Sequence, residues 1–247
     1  MWQYLKQLYH RLGSPRWFYQ ISGLWLPWFL ATGLLLVIVG TVWGLAFVPM
    51  DFKQGNSFRI IYIHVPSSFI ALAGYYVMAI AGAIALVWRM KMAEIMMRVA
   101  APIGAAMTFI ALVTGAIWGK PTWGTWWVWD ARVTSMLVLF FLYLGVLALA
   151  DAYEREDTGS RAAAILALVG TVNIPIIYKS VDWWYSLHQP ATLKLTEKSS
   201  MAPEMLWPLL VMIAGFYTLY AALLLLHGRA EVLRQEQRTR WVEELVE

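Results

Sequence analysis

The chain has 247 residues, is 60% hydrophobic and only 14% charged, and carries a formal charge of +4. Soluble globular domains carry about a quarter charged residues, so this composition excludes that class and points to a membrane protein. The absence of cysteine excludes disulfides, thiolate metal sites and thiol redox chemistry by this chain, and no basic block points to nucleic acid.

From the N-terminus, Trp2, Leu5, Leu8, Tyr9 and Leu12 recur at helical spacing, with Lys6, His10 and Arg11 on the remaining face. This pattern predicts an in-plane amphipathic helix over Trp2–Leu12. Six apolar stretches follow, at Leu24–Val48, Val65–Trp88, Val99–Trp118, Val133–Ala150, Ala162–Tyr178 and Leu206–Leu226. A bilayer core needs roughly 20 apolar residues in helical form, and backbone groups inside it find partners only within a helix or a closed barrel. The sequence therefore predicts an all-α integral membrane protein, one domain over residues 1–247 with six transmembrane helices and no internal repeat. The first stretch is too long for a signal-peptide core and is read as a retained helix.

Six crossings place both termini on one side. Lys6, Arg11, Arg16, Arg89, Lys91, Arg98, Arg155, Arg161, Arg229, Arg234, Arg238 and Arg240 fall on that side. Lys53, Arg59, Lys120, Arg132, Lys179, Lys194 and Lys198 fall on the other. The positive-inside rule then puts both termini in the cytoplasm. Pro49–Ile63, Gly119–Arg132 and Lys179–Met205 become outward loops, the last with room for a short helix around Asp182–His188.

The second outward loop carries the most informative run, Trp118-Gly-Lys-Pro-Thr-Trp123-Gly-Thr-Trp126-Trp127-Val-Trp129-Asp130, with five of the 15 tryptophans. If the run is helical, Trp123, Trp126, Trp127 and Asp130 share one face by i, i+3, i+4 and i+7 spacing. Three indoles would then form a shelf for a flat apolar ligand. The plainer alternative is an aromatic belt at the lipid–water boundary, where Trp gathers in any case.

Four histidines divide into two pairs. His10 and His227 lie at the cytoplasmic surface beside basic residues. His64 opens the second span and His188 lies in the third outward loop, each with aromatic neighbours. Neutral imidazole ligates iron well, and two imidazoles from separate loops could grip a planar metal macrocycle from opposite faces. Interfacial histidines that bond lipid or backbone are the alternative. Arg59 and Arg132 fall on the same side. A guanidinium there either grips a carboxylate of the ligand or snorkels to headgroups. Asp130 suits a protein or ligand partner better than lipid.

The tryptophan run resembles the "WWD" signature of the haem-handling proteins of cytochrome c maturation. The segments Arg59-Ile-Ile-Tyr-Ile-His64-Val-Pro66 and Asp182-Trp-Trp-Tyr-Ser-Leu-His188-Gln189, with six spans and this length, are similar to the CcmC (haem exporter protein C) family over nearly the whole chain. The resemblance implies a bacterial inner-membrane protein that binds haem b as transient cargo on its periplasmic side. It implies delivery to the haem chaperone CcmE, within an assembly with the CcmA ATPase and the CcmB and CcmD membrane subunits. It implies that His64 and His188 are the axial iron ligands and that Trp118, Trp123, Trp126, Trp127, Trp129 and Asp130 form the platform. Arg59 and Arg132 then become candidate propionate partners.

With no phosphate-binding loop in the chain, the expectation is a haem-presenting scaffold and not an enzyme. Two other readings compete. A cytochrome b-type redox subunit needs histidines deep within the spans, and none is found mid-span. A permease-like subunit or a secondary transporter moving a small solute usually shows intramembrane charge or broken helices. Pro102 and Pro175 offer such breaks, but no ionisable residue sits centrally.

Overall fold

The computed structural model describes residues 10–189, 199 and 201–246. Most of the predicted amphipathic segment Trp2–Leu12 lies outside them, as do Lys194 and Lys198. The described residues are helical almost throughout. In chain order they form α1 (Pro15–Val42), which continues as a π-helical turn over Trp43–Phe47, then a 3-10 turn (Asn56–Ile60) leading into α2 (Ile61–Trp88). Next come α3 (Lys91–Trp123), α4 (Ala131–Asp151), α5 (Glu156–Gly170), α6 (Asn173–Trp183), α7 (Pro203–Glu236) and the short α8 (Arg240–Val246).

These elements supply six segments long and apolar enough to cross a membrane, at Pro15–Phe47, Asn56–Trp88, Lys91–Trp123, Ala131–Asp151, Asp157–Trp183 and Pro203–Glu236. They outrun the apolar stretches of the sequence. A helix of 34 residues is about 50 Å long against a hydrocarbon core of about 30 Å, so the longer helices exceed the thickness of that core.

Small residues set the closest packing. A Cβ at Gly33 of α1 would sit 2.9 Å from the Leu219 backbone nitrogen, and one at Gly215 of α7 would sit 3.0 Å from that of Val37. The two glycines let α1 and α7 meet backbone to backbone, the usual way helices gain contact where lipid removes the hydrophobic drive. α2 and α3 pack together most extensively, and α4 and α5 complete a core around the buried Tyr75, Tyr143, Met78, Met97 and Leu139. There the Tyr143 hydroxyl donates to the Ala71 carbonyl at 2.8 Å.

Of the two prolines expected to break helices, Pro102 lies inside an unbroken α3. The fifth span does break, between α5 and α6. Pro175 in the first turn of α6 has no N–H to bond back to Thr171, and the Thr171 hydroxyl caps the preceding turn by donating to the Leu168 carbonyl at 2.6 Å.

The bundle has two chemically distinct ends. At one, Arg229 lies over the Tyr19 ring, Lys91 pairs with Glu236, and Arg98 donates to the Ala150 carbonyl at 2.7 Å. The other end gathers the tryptophan run, His64, His188, Arg59 and Arg132.

Candidate functional site

His64 is the fourth residue of α2, carried directly on the helix that the 3-10 turn initiates. Its Nδ1 lies 3.1 Å from Thr114 Oγ1 on α3. The Thr114 hydroxyl already donates its single proton to the Ile110 carbonyl at 2.6 Å, so toward His64 its oxygen accepts. That assigns the proton to Nδ1 and leaves Nε2 with a bare lone pair. A Cβ at Gly115 would come within 3.0 Å of His64 Cε1, so glycine there leaves space for the ring. Trp118, one helical turn beyond Thr114, meets the imidazole edge-on with centroids 5.8 Å apart, and its Nε1 donates to Gln54 Oε1 at 2.8 Å.

His188 comes from the stretch after α6. The sequence allowed a short helix over Asp182–His188, but α6 runs on to Trp183 and the chain then leaves helical geometry, Trp184 being extended. The two histidine rings lie 6.4 Å apart, inclined by 35°, with Trp123 6.2 Å from His188. Two imidazoles binding one metal from opposite sides, each nitrogen about 2 Å from it, have centroids about 6 Å apart. His188 Nδ1 donates to the Gln189 carbonyl at 2.9 Å, which puts the ring proton on Nδ1 and the lone pair on Nε2. Burial holds the His188 pKa below the ordinary imidazole value, and the positive charge of Arg132 acts the same way against the Gln189 carbonyl and Asp130.

The tryptophan run is not one helical face. α3 ends at Trp123, and Gly124 takes a left-handed φ of +80° that a side chain would strain. The following residues form a bend and then an extended stretch into Asp130, which caps α4 by accepting from the Val133 N–H at 2.8 Å. The indoles therefore divide. Trp118 and Trp123 turn to the histidine pair, Trp127 and Trp129 meet edge-on at 5.5 Å, and Trp126 lies exposed with Lys120 above its ring. Trp129 is 76% exposed. The buried Nε1 of Trp127 has no hydrogen-bond partner among the described residues.

Asp130 does more than cap a helix. Its second oxygen accepts from Ser186 Oγ, and that same oxygen of Ser186 accepts from the His188 backbone N–H at 3.0 Å. Arg132 ties α4 to the end of α6 by donating to Ser180 Oγ and to the Tyr178 carbonyl, both at 3.1 Å. Arg59 is engaged elsewhere. Its guanidinium donates to the carbonyls of Gly44, Leu45 and Val48 at 2.6–2.7 Å and to Asn56, closing the π-helical end of α1.

Sequence reasoning missed Thr114, Ser186 and Gln54. Only the first carried a signal, its i, i+4 relation to Trp118 on a helix. His10 and His227 fall at the opposite end, where His227 lines a cavity of about 600 Å³ with Arg98, Glu231 and Arg234.

The comparison with known proteins covers the same ground. A family profile described as heme exporter protein C matches residues 8–243. The chain belongs to the heme exporter protein C family. It is 50% identical to the heme exporter protein C of Haemophilus influenzae over 247 residues, all of this chain and 99% of the relative. It is 50% identical to that of Escherichia coli K12 over 246 residues, covering 100% and 98% of the two chains. The Bradyrhizobium diazoefficiens relative is 45% identical over 228 residues, covering 92% of this chain and 86% of its own. Family membership sets aside the cytochrome b-type reading, in keeping with the position of His64 and His188 at one rim of the bundle and not at its middle.

Proposed function

We propose that this protein binds haem b as cargo between His64 and His188 at the periplasmic face of the bacterial inner membrane and presents it to the haem chaperone CcmE, in an assembly with CcmA, CcmB and CcmD. The observation that carries the reading is the histidine pair. Two rings stand 6.4 Å apart, each with Nδ1 engaged and Nε2 without a hydrogen bond among the described residues, which suits bis-imidazole ligation of one iron. The relatives are named for haem export, and the excess of Lys and Arg at the opposite end supports the periplasmic placement.

Within this reading Trp118 and Trp123 flank the macrocycle, and Trp126 and Trp129 are exposed enough to meet lipid or the chaperone. Arg132 and Trp127 Nε1, which has no hydrogen-bond partner among the described residues, are the donors for propionate. Arg59 supports the site from behind by fixing the end of α1. The chain holds and orients its cargo, and positioning alone is a large contribution when a flat ligand must meet a second protein in one orientation. The test is direct. Purified protein is loaded with haem and its visible spectrum recorded for the native chain, His64→Ala and His188→Ala. The reading expects the native protein to show a six-coordinate low-spin Soret band and each variant to lose it. Native spectra in both variants would overturn it.

A further inference from the structure

The two histidines are held by unequal means. His64 stands within the hydrogen-bond ladder of α2, with its ring braced by Thr114 on the adjacent α3. His188 stands on chain without helical structure, and its neighbours face outward, Tyr185 being 88% exposed and Leu187 41%. Among the described residues, one hydrogen bond ties residues 185–189 to the rest of the protein, from Ser186 Oγ to Asp130 Oδ2. Ser186 then holds the His188 backbone through the N–H that its oxygen accepts. The anchor at the far end is well fixed, because Asp130 uses its other oxygen to cap α4.

We infer that Asp130, acting through Ser186, is a latch that sets how long His188 stays on the iron. Asp130 and Ser186 are positioning residues, and His188 is the ligand whose departure releases the cargo. The inference rests on the haem-binding reading above. Its physical basis is the charge of the carboxylate. A hydroxyl donating to an ionised acceptor forms a bond roughly twice as strong as one between neutral groups. Loss of that bond leaves the five residues 185–189 with no other hydrogen bond to the rest of the protein among the described residues, held only by ring contacts of His188 with His64 and Trp123, while His64 and the helices stay where they are. A partner that drew Ser186 or Asp130 away would thus free one face of the iron without dismantling the site.

The experiment uses the full-length protein in lipid nanodiscs, loaded with ferric haem. Release is followed by transfer of haem to excess apomyoglobin, and coordination by the ratio of low-spin to high-spin absorption. Ser186→Ala and Asp130→Asn are compared with Ser186→Thr, which keeps the hydroxyl. The Asn side chain can still cap α4, so the substitution tests the latch apart from the cap. Loss of outer partners typically weakens a metal site by about 10- to 100-fold. Release from Ser186→Ala and Asp130→Asn is expected to quicken by at least about tenfold on that scale. High-spin haem should appear and added imidazole should abolish it. Ser186→Thr should release at the native rate.

Native rates and native low-spin spectra in both Ser186→Ala and Asp130→Asn would overturn the latch. The haem-binding reading would still stand in that case if His64→Ala lost its haem. Faster release with the spectrum still fully low-spin would also overturn the latch, because His188 would then have stayed on the iron.

Discussion

Replacement of Thr114 by valine isolates the link between α3 and His64, the proposed iron ligand on α2. Valine keeps the volume and the β-branch, so α3 should be unaffected. It removes the oxygen 3.1 Å from His64 Nδ1. The Nδ1 proton is then left with only the weaker contact to the Ala111 carbonyl, and a partly buried donor that loses its partner costs about 1–3 kcal/mol. At 1.4 kcal/mol per decade of affinity, that predicts haem binding weaker by about 5- to 140-fold. The assay is a titration of apoprotein with ferric haem, read at the Soret band, beside a thermal unfolding curve of the apoprotein. Affinity should drop by more than apoprotein stability, because the unloaded ring can move its proton to Nε2 whereas iron on Nε2 would pin it to Nδ1, and Thr114→Ser should restore binding. Native affinity in Thr114→Val would refute the assignment of the proton to Nδ1. Equal impairment in Thr114→Ser and Thr114→Val would refute the role of the hydroxyl.

Other outcomes follow from packing and charge. A Cβ at Gly104 would lie 2.2 Å from Tyr143 Cζ, so Gly104→Ala must displace that ring and break its bond to Ala71. Overpacking costs about 1–3 kcal/mol and the lost bond about 1 more, and a melting temperature equal to the native one would contradict the packing described. Arg59→Ala uncovers three carbonyls at the end of α1 and should lower thermal stability by about 2 kcal/mol or more, since bonds to charged donors carry about 1.5–3 kcal/mol each. Its effect on haem affinity should be smaller than that of Thr114→Val, and the reverse order would return Arg59 to the ligand. The His188 pKa is lowered by burial, so the neutral ring persists in the folded protein below pH 6.5. The unfolded chain binds the proton first, so this group's contribution to stability declines as pH falls below that value. Haem affinity should therefore stay level from pH 8 to 6.5 and decline only below it. A decline that begins above pH 6.5 would count against the buried position of His188.

The fold was legible because a membrane narrows the choices. Runs of apolar residues fix six helices almost by length alone, and the errors lie at their ends. Lys91–Arg98 and Asp157–Arg161 carry charges that end an apolar run but do not end a helix, so α3 and the fifth span begin earlier than hydropathy suggests. His64 and His188 were legible as a pair because each is an isolated titratable ring among aromatics on the same side. The one-face arrangement of the tryptophan run holds only if helical periodicity continues through Gly124, and it does not. Its left-handed φ stops the helix after Trp123, and the sequence offers a glycine at that point without saying how it is used. Arg59 was legible as a cation on the right side but not as a clamp. Its acceptors are backbone carbonyls 11 to 15 residues away, and backbone carries no residue identity to read.

The irregular path from Gly124 to Asp130 explains why the signature ends in an acidic residue. Continuing α3 past Trp123 would carry Asp130 away from both α4 and the His188 loop. Breaking the helix at Gly124 returns the chain so that Asp130 starts α4 and at the same time faces Ser186. One short segment thus joins the helix that braces His64, through Thr114 and Trp118, to the loop that carries His188, through Asp130 and Ser186. This segment reaches both imidazoles, touching His64 from the α3 side and His188 through its backbone, and so helps to set the gap between them. Neither oxygen of Asp130 is idle, and an amide could cap α4 but would meet Ser186 without the charge. A carboxylate at that one position meets both demands, which gives the last residue of the motif a physical reason distinct from that of the indoles before it.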